Sequence, residues 1–127
     1  MRVLLDTHAL IWWWANDRAL SGTAAELLSD GGSDIFVSAA TGWEIATKHR
    51  LKKLDPGVSM DAFEELLAAD GFIALPVEMG HALRAGRYRS PHADPFDRLL
   101  AGQAEMEELT LITRDPAFAG FPCRTLW

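Results

Sequence analysis

The stretch His92-Ala93-Asp94-Pro95-Phe96-Asp97-Arg98 carries two carboxylates three residues apart at the entrance to a helix. Asp94 reads as an N-cap that accepts from the free backbone N–H groups of the next turn. Pro95 takes the first helical position, where a missing N–H costs nothing. Asp97 then falls in the first turn, beside Asp94, where the helix dipole favours negative charge. An ordinary acidic cap accounts for this pair as well as chemistry does. Three further acids shift the balance. Asp6 ends the apolar run Arg2-Val3-Leu4-Leu5, Glu44 lies one turn beyond Ile35-Phe36-Val37-Ser38, and Asp115 closely follows Leu109-Thr110-Leu111-Ile112-Thr113. Carboxylates crowded together raise one another's pKa unless positive charge sits between them. The economical counter-charge is a hard divalent cation with oxygen ligands, Mg²⁺ or Mn²⁺. Such an ion activates water and steadies the leaving oxygen of a phosphodiester. No other constellation competes: His8, His49, His81 and His92 are scattered, Ser38 is not in a nucleophile elbow, and phosphate-binding glycine loops are absent.

The elements that must position these acids alternate in type. Arg2–Leu5 predicts a first strand, with Thr7 capping a helix from His8 towards Ala15. Ser21–Ser29 predicts a second helix, Ile35–Ser38 a second strand, and a helix opening near Thr41 carries Trp43, Glu44, Ile45 and Lys48. Ser59 reads as a cap, with Val58 and Phe63 as a hydrophobic staple, and its helix runs to a left-handed stop at Gly71. Phe72–Leu75 predicts a third strand and Glu78–Gly86 a short helix. The helix after Asp94 repeats apolar residues at Phe96, Leu99 and Leu100. Leu109–Thr113 is a fourth strand, and Cys123–Leu126 a short last one. Short apolar strands alternating with helices indicate a parallel sheet covered on both faces. Ligands bind beyond the carboxyl ends of such strands, where Asp6 and Asp115 lie directly and Glu44 and Asp97 open neighbouring helices. The four acids are expected to converge.

Composition sets the limits. The 127 residues are 49% hydrophobic and 24% charged, the balance of one globular domain spanning 1–127. One cysteine forms no internal disulfide, no zinc spacing is present, and a cytoplasmic setting is expected. Asp6 interrupts the first apolar run too early for a signal peptide, and Ala9–Ala15 is too short to span a bilayer, so no membrane is implied. A net charge of −6 excludes binding nucleic acid by bulk charge alone. It leaves room for a nuclease whose acids are neutralised by bound cations.

Four segments, in order, carry a resemblance: Leu4-Leu5-Asp6-Thr7-His8, Val37-Ser38-Ala39-Ala40-Thr41-Gly42-Trp43-Glu44-Ile45, Asp94-Pro95-Phe96-Asp97-Arg98-Leu99-Leu100-Ala101, and Leu111-Ile112-Thr113-Arg114-Asp115. Together they extend over nearly the whole chain. The sequence resembles PIN-domain ribonucleases, specifically the VapC toxins of type II toxin–antitoxin pairs. The resemblance implies a PIN-like three-layer α/β/α sandwich with a short central parallel sheet. It also implies a metal-dependent endoribonuclease that leaves 5′-phosphate and 3′-hydroxyl ends. Asp6, Glu44 and Asp97 match the family's acids most securely, and Asp115 matches a looser fourth position. Asp94 belongs to the same motif, as helix cap and support or as a direct ligand. Thr7 and Thr113 flank acids and either orient them or serve as plain cap and strand residues. A cognate antitoxin and a homodimer are further implications, with RNA as substrate.

Two basic runs flank the expected pocket: Lys48, His49, Arg50, Lys52 and Lys53 after Glu44, and Arg84, Arg87 and Arg89 before Asp94. They are either solvated surface or a means of drawing phosphates towards metal; Lys48, Arg87, Arg89 and Arg98 are the candidate RNA contacts. Trp12, Trp13 and Trp14 are spaced about 100° apart around a helix, so at least one is expected at the surface, as a partly exposed core residue or as a partner contact. A haloacid-dehalogenase-type phosphatase requires a second Asp where His8 stands, and a receiver domain requires a phosphoacceptor where Leu75-Pro76 stands. The nearer alternatives are a PIN nuclease of RNA processing or DNA flaps, and a degenerate PIN module that binds RNA or protein without cutting.

Overall fold

The computed structural model describes residues 1–127. Along the chain, β1 (Arg2–Leu5) leads to α1 (Thr7–Ala15) and α2 (Gly22–Ser29). Next come β2 (Asp34–Ser38), α3 (Ala39–Arg50) and α4 (Phe63–Ala69). Then β3 (Ile73–Leu75), α5 (Met79–Arg87), α6 (Pro95–Met106), β4 (Thr110–Ile112) and β5 (Thr125–Leu126) complete the order. All strands pair in parallel, in the order β3-β2-β1-β4-β5.

Strand periodicity divides the core into two layers. Val3 and Leu5 point into one layer with Ile35, Val37 and Ile112, where Leu10, Leu28, Ile45 and Leu67 from α1 to α4 cover them. Leu4 points the other way with Leu111, against Leu100, Ala101 and Ala104 of α6 and against Phe118. Alternation at every second residue is the geometry of a strand, and both faces being apolar is why Val3, Leu4 and Leu5 are consecutive hydrophobes. Truncating a buried Leu, Ile or Phe among these to Ala would cost about 2–5 kcal/mol. α5 packs on α6 through Gly102, where a Cβ would meet the His81 carbonyl oxygen at 3.2 Å. The α/β/α sandwich is therefore as the sequence predicts. No helix is long and apolar enough to cross a membrane.

Local boundaries differ in instructive ways. Asp6, not Thr7, caps α1: its backbone is extended and its Oδ1 accepts the Ala9 N–H at 2.8 Å, while Thr7 is already helical. Ser38 likewise caps α3, which starts earlier than the expected opening near Thr41. β1 and β2 thus each hand over to the following helix at a single residue. Ser59 caps a 3-10 turn, Met60–Ala62, from which α4 continues, and Gly71 provides the left-handed stop at φ 74°. Trp12, Trp13 and Trp14 are all half-buried, as partly exposed core residues rather than an exposed patch. The Trp13 and Trp14 indoles both donate to Asp70 Oδ2, at 3.2 and 2.9 Å, and their rings pack on Phe72 and Phe63. Trp12 lies between His8, Trp127 and Arg114.

Candidate active site

β1 lies between β2 and β4 because the chain winds outward through β2 and β3, then returns to pair β4 on the opposite side. Such a reversal opens a crevice at the carboxyl ends of the strands. Asp6 sits in it, its N–H donating to the Ile112 carbonyl at 3.1 Å. The Thr113 hydroxyl donates to Asp6 Oδ2 at 2.5 Å and accepts the Asp115 N–H at 3.0 Å. Thr7 performs the same service for Glu44, donating to Oε1 at 2.5 Å. Both threonine hydroxyls therefore hydrogen-bond to acids. The other Glu44 oxygen, Oε2, takes the Lys48 ammonium one helical turn on.

The α6 entrance adds the remaining acids. Asp94 Oδ1 accepts the N–H groups of Phe96 and Asp97 at 2.9 and 3.0 Å, the cap expected from Asp94-Pro95. Asp97 Oδ2 meets His92 Nε2 at 2.8 Å. Asp115 caps the short 3-10 turn Pro116–Gly120, with Oδ1 accepting the Ala117 N–H at 2.9 Å.

Electrostatics tie these groups into two neighbouring sets. Burial raises the Asp97 pKa from 3.8 to about 6; Asp94 and Glu44 push the same way, and the His92 hydrogen bond and charge oppose them. Burial lowers the Lys48 pKa, but the Glu44 hydrogen bond and the charges of Glu44, Asp94 and Asp97 more than reverse this and raise it. Glu44, Asp94, Asp97 and Lys48 thus form one set. Burial also raises the Asp6 pKa, with a smaller push from Asp115; Thr113, the Ala9 N–H and His8 pull it down. Asp6 and Asp115 form the second set, on a cleft of about 310 Å³ lined also by His8, Trp12, Arg114 and Pro116. Thr7, adjacent to Asp6 in the chain and bonded to Glu44, joins the two.

The acids do not close on one point: no three His, Cys, Asp or Glu side chains form a ligand set. The cause is local, since Asp6, Asp94 and Asp115 each spend an oxygen capping a helix or turn, while Lys48 and His92 occupy Glu44 and Asp97. The donor chemistry nevertheless fits Mg²⁺ or Mn²⁺. All donors are carboxylate oxygens, burial raises the Asp6 and Asp97 pKa values with a smaller push from neighbouring acids, and Mg²⁺ typically takes one or two carboxylates plus waters.

The candidate RNA contacts divide. Arg87 and Arg89 are exposed. Lys48 turns inward onto Glu44. Arg98 does not face solvent with its charge: its guanidinium donates to the carbonyls of Ala85, Tyr88, Ser90 and His92, bracing the loop into α6. Sequence reasoning missed His92 and His8 as companions of Asp97 and Asp6. It also passed over Trp43, which is 56% exposed beside buried Glu44. The Lys48–Glu44 spacing of four residues was the one available signal.

The family model described as PIN domain matches residues 3–122. The fold is similar to VapBC2 from Rickettsia felis bound to a promoter DNA fragment, with a TM-score of 0.72 at 16% identity, covering 100% of this chain and 99% of that one. DNA-bound VapBC from Salmonella typhimurium gives 0.71 at 18%, covering 99% and 97%. FitAcB from Neisseria gonorrhoeae gives 0.67 at 23%, covering 100% and 97%. No curated protein matches in sequence.

Proposed function

Since the chain belongs to the PIN domain family, we propose that it is a metal-dependent endoribonuclease, the toxin of a toxin–antitoxin pair. The observation that carries the reading is the pair of acid sets at the β1/β4 crevice, with Asp97 raised to about 6 by burial and by Asp94 and Glu44. Asp6, Glu44, Asp97 and Asp115 would hold Mg²⁺ or Mn²⁺, with Asp94 in support. When bound, the ion supplies the charge that activates water and steadies the leaving oxygen of an RNA phosphodiester.

The chain's own residues do the positioning. Thr113 fixes the Asp6 carboxylate and Thr7 fixes Glu44, so both present set oxygens to the crevice. Asp94 holds the first turn of α6, which fixes where Asp97 projects. Lys48 and His92 balance Glu44 and Asp97. Arg87 and Arg89, exposed at the end of α5 and in the loop leading to Asp94, add positive charge near an acidic site. The toxin–antitoxin assignment is supported by the similar folds, whose structures are VapBC and FitAcB assemblies. It carries with it an antitoxin partner, a homodimer and a cytoplasmic setting.

The test is RNA cleavage by the purified, partner-free protein, with Mg²⁺ or Mn²⁺ against chelator, alongside Asp6→Asn. Asparagine caps a helix as well as aspartate does, so this variant keeps α1 and removes one charge. Metal-dependent cleavage lost in the variant is the expected result. Cleavage in chelator, or undiminished cleavage by the variant, overturns the proposal. Absence of both cutting and divalent-metal binding identifies a degenerate PIN module instead.

A further inference from the structure

Trp43 is the one exposed residue among the phenylalanines, tyrosine and tryptophans, with 56% of its surface open. An indole in that position forgoes the stabilisation that burial would bring, and the other four tryptophans are at least half-buried. It is nevertheless held: Phe96 meets it edge to face, with ring centroids 4.7 Å apart and planes at 69°. Phe96 stands between Asp94 and Asp97 at the start of α6, and the Lys48 ammonium lies 6.0 Å from its ring. Trp43 itself precedes Glu44 on α3. The indole is therefore fixed at the rim of the set formed by Glu44, Asp94, Asp97 and Lys48.

We propose that Trp43 is a stacking platform for an unpaired base of a single-stranded RNA, seated next to the phosphodiester that reaches the acid site. Three features favour this occupant. Aromatic side chains bind unpaired bases by their faces, whereas bases inside a duplex are already stacked. The platform adjoins a site of divalent-cation chemistry suited to phosphates. Arg87 and Arg89 lie in the segment leading into α6 and supply backbone-binding charge. Stacking would place a nucleotide at the rim and leave its neighbouring phosphate to turn inward, so Trp43 confers preference for unpaired RNA.

The proposal deepens the nuclease reading and rests on it for the position of the phosphate. Its test is binding of a short unstructured RNA and of a duplex of equal length, measured by fluorescence anisotropy. An Asp97→Asn background keeps the RNA intact. Trp43→Ala is expected to weaken single-strand binding about tenfold, within the range of one lost base stack, with duplex binding unchanged and Trp43→Phe restoring most of the affinity. Equal loss for both RNAs, or no loss for either, overturns the platform. So does unaltered RNA affinity combined with weakened binding of the purified antitoxin, which would assign Trp43 to a protein contact. Metal-dependent cleavage by the unsubstituted protein is measured in parallel. Its absence with Trp43-dependent single-strand binding intact would defeat the nuclease reading alone.

Discussion

Asp97→Asn separates the electrostatic cost of the site from its chemistry. A rise in pKa from 3.8 to about 6, at about 1.4 kcal/mol per unit, means that ionised Asp97 costs the fold about 3 kcal/mol. Because the folded state holds the proton more tightly than the unfolded chain, Asp97 imposes no cost below about pH 4. The cost grows as pH rises to about 6 and is constant above it. One fifth of the side chain is exposed and the His92 contact is altered by the amide, so the net gain at pH 7.5 is expected to be about 1–3 kcal/mol. For a chain of this length that is about 5–10 °C in melting temperature. The assay is thermal and urea unfolding of both proteins in chelator from pH 4 to pH 8. The two curves should coincide near pH 4 and separate towards pH 7, with the variant more stable and inactive. A variant less stable at pH 7.5, or a difference that does not change with pH, refutes the reasoning.

Other substitutions probe the supporting contacts. Thr113→Val removes the hydroxyl that links Asp6 Oδ2 to the Asp115 N–H; cleavage should fall about 10–100-fold, the usual effect of losing an orienting partner, and undiminished turnover would show that Asp6 needs no such support. Lys48→Met takes a tethered cation from Glu44; Mn²⁺ binding by calorimetry should tighten several-fold while stability in chelator falls, and unchanged Mn²⁺ affinity would exclude competition between the ammonium and the ion. Arg98→Ala unties the loop held at Ala85, Tyr88, Ser90 and His92. It should cost about 2–3 kcal/mol in urea unfolding, and a loss confined to RNA affinity would restore Arg98 as a substrate contact.

What the sequence disclosed is mostly what backbone chemistry dictates over a few residues. Asp94-Pro95 is a helix entrance by its local hydrogen-bonding logic, and the structure has that cap. The apolar runs disclosed a doubly covered sheet, since only buried parallel strands read as continuous hydrophobes. Failures lie where a side chain's direction is set by distant packing. Asp6 both ends β1 and caps α1, so the handover had no spare residue for Thr7 to occupy as cap. Arg98 and Lys48 were read by charge, which says nothing of whether the charge meets carbonyls or a neighbouring acid. His92 reaches Asp97 across a loop–helix joint whose bend no spacing rule encodes. The three consecutive tryptophans all found cover because Asp70, Phe63, Phe72 and Trp127 come from other elements to meet them. Trp43 took the exposed place instead.

The bond between Thr113 and Asp6 joins residues 107 positions apart, and β1 pairs with β4 from Val3 to Leu5. A polypeptide emerging from the ribosome can make α1, β2 and α3 early, but the crevice has only one wall until Thr110–Ile112 arrives. Loop closure over such a span also makes this the late, slow part of assembly. A nascent chain halted anywhere before Thr110 therefore lacks both the strand that seats Asp6 and the hydroxyl that aims it. The acids become a site only after translation has passed β4 and Thr113.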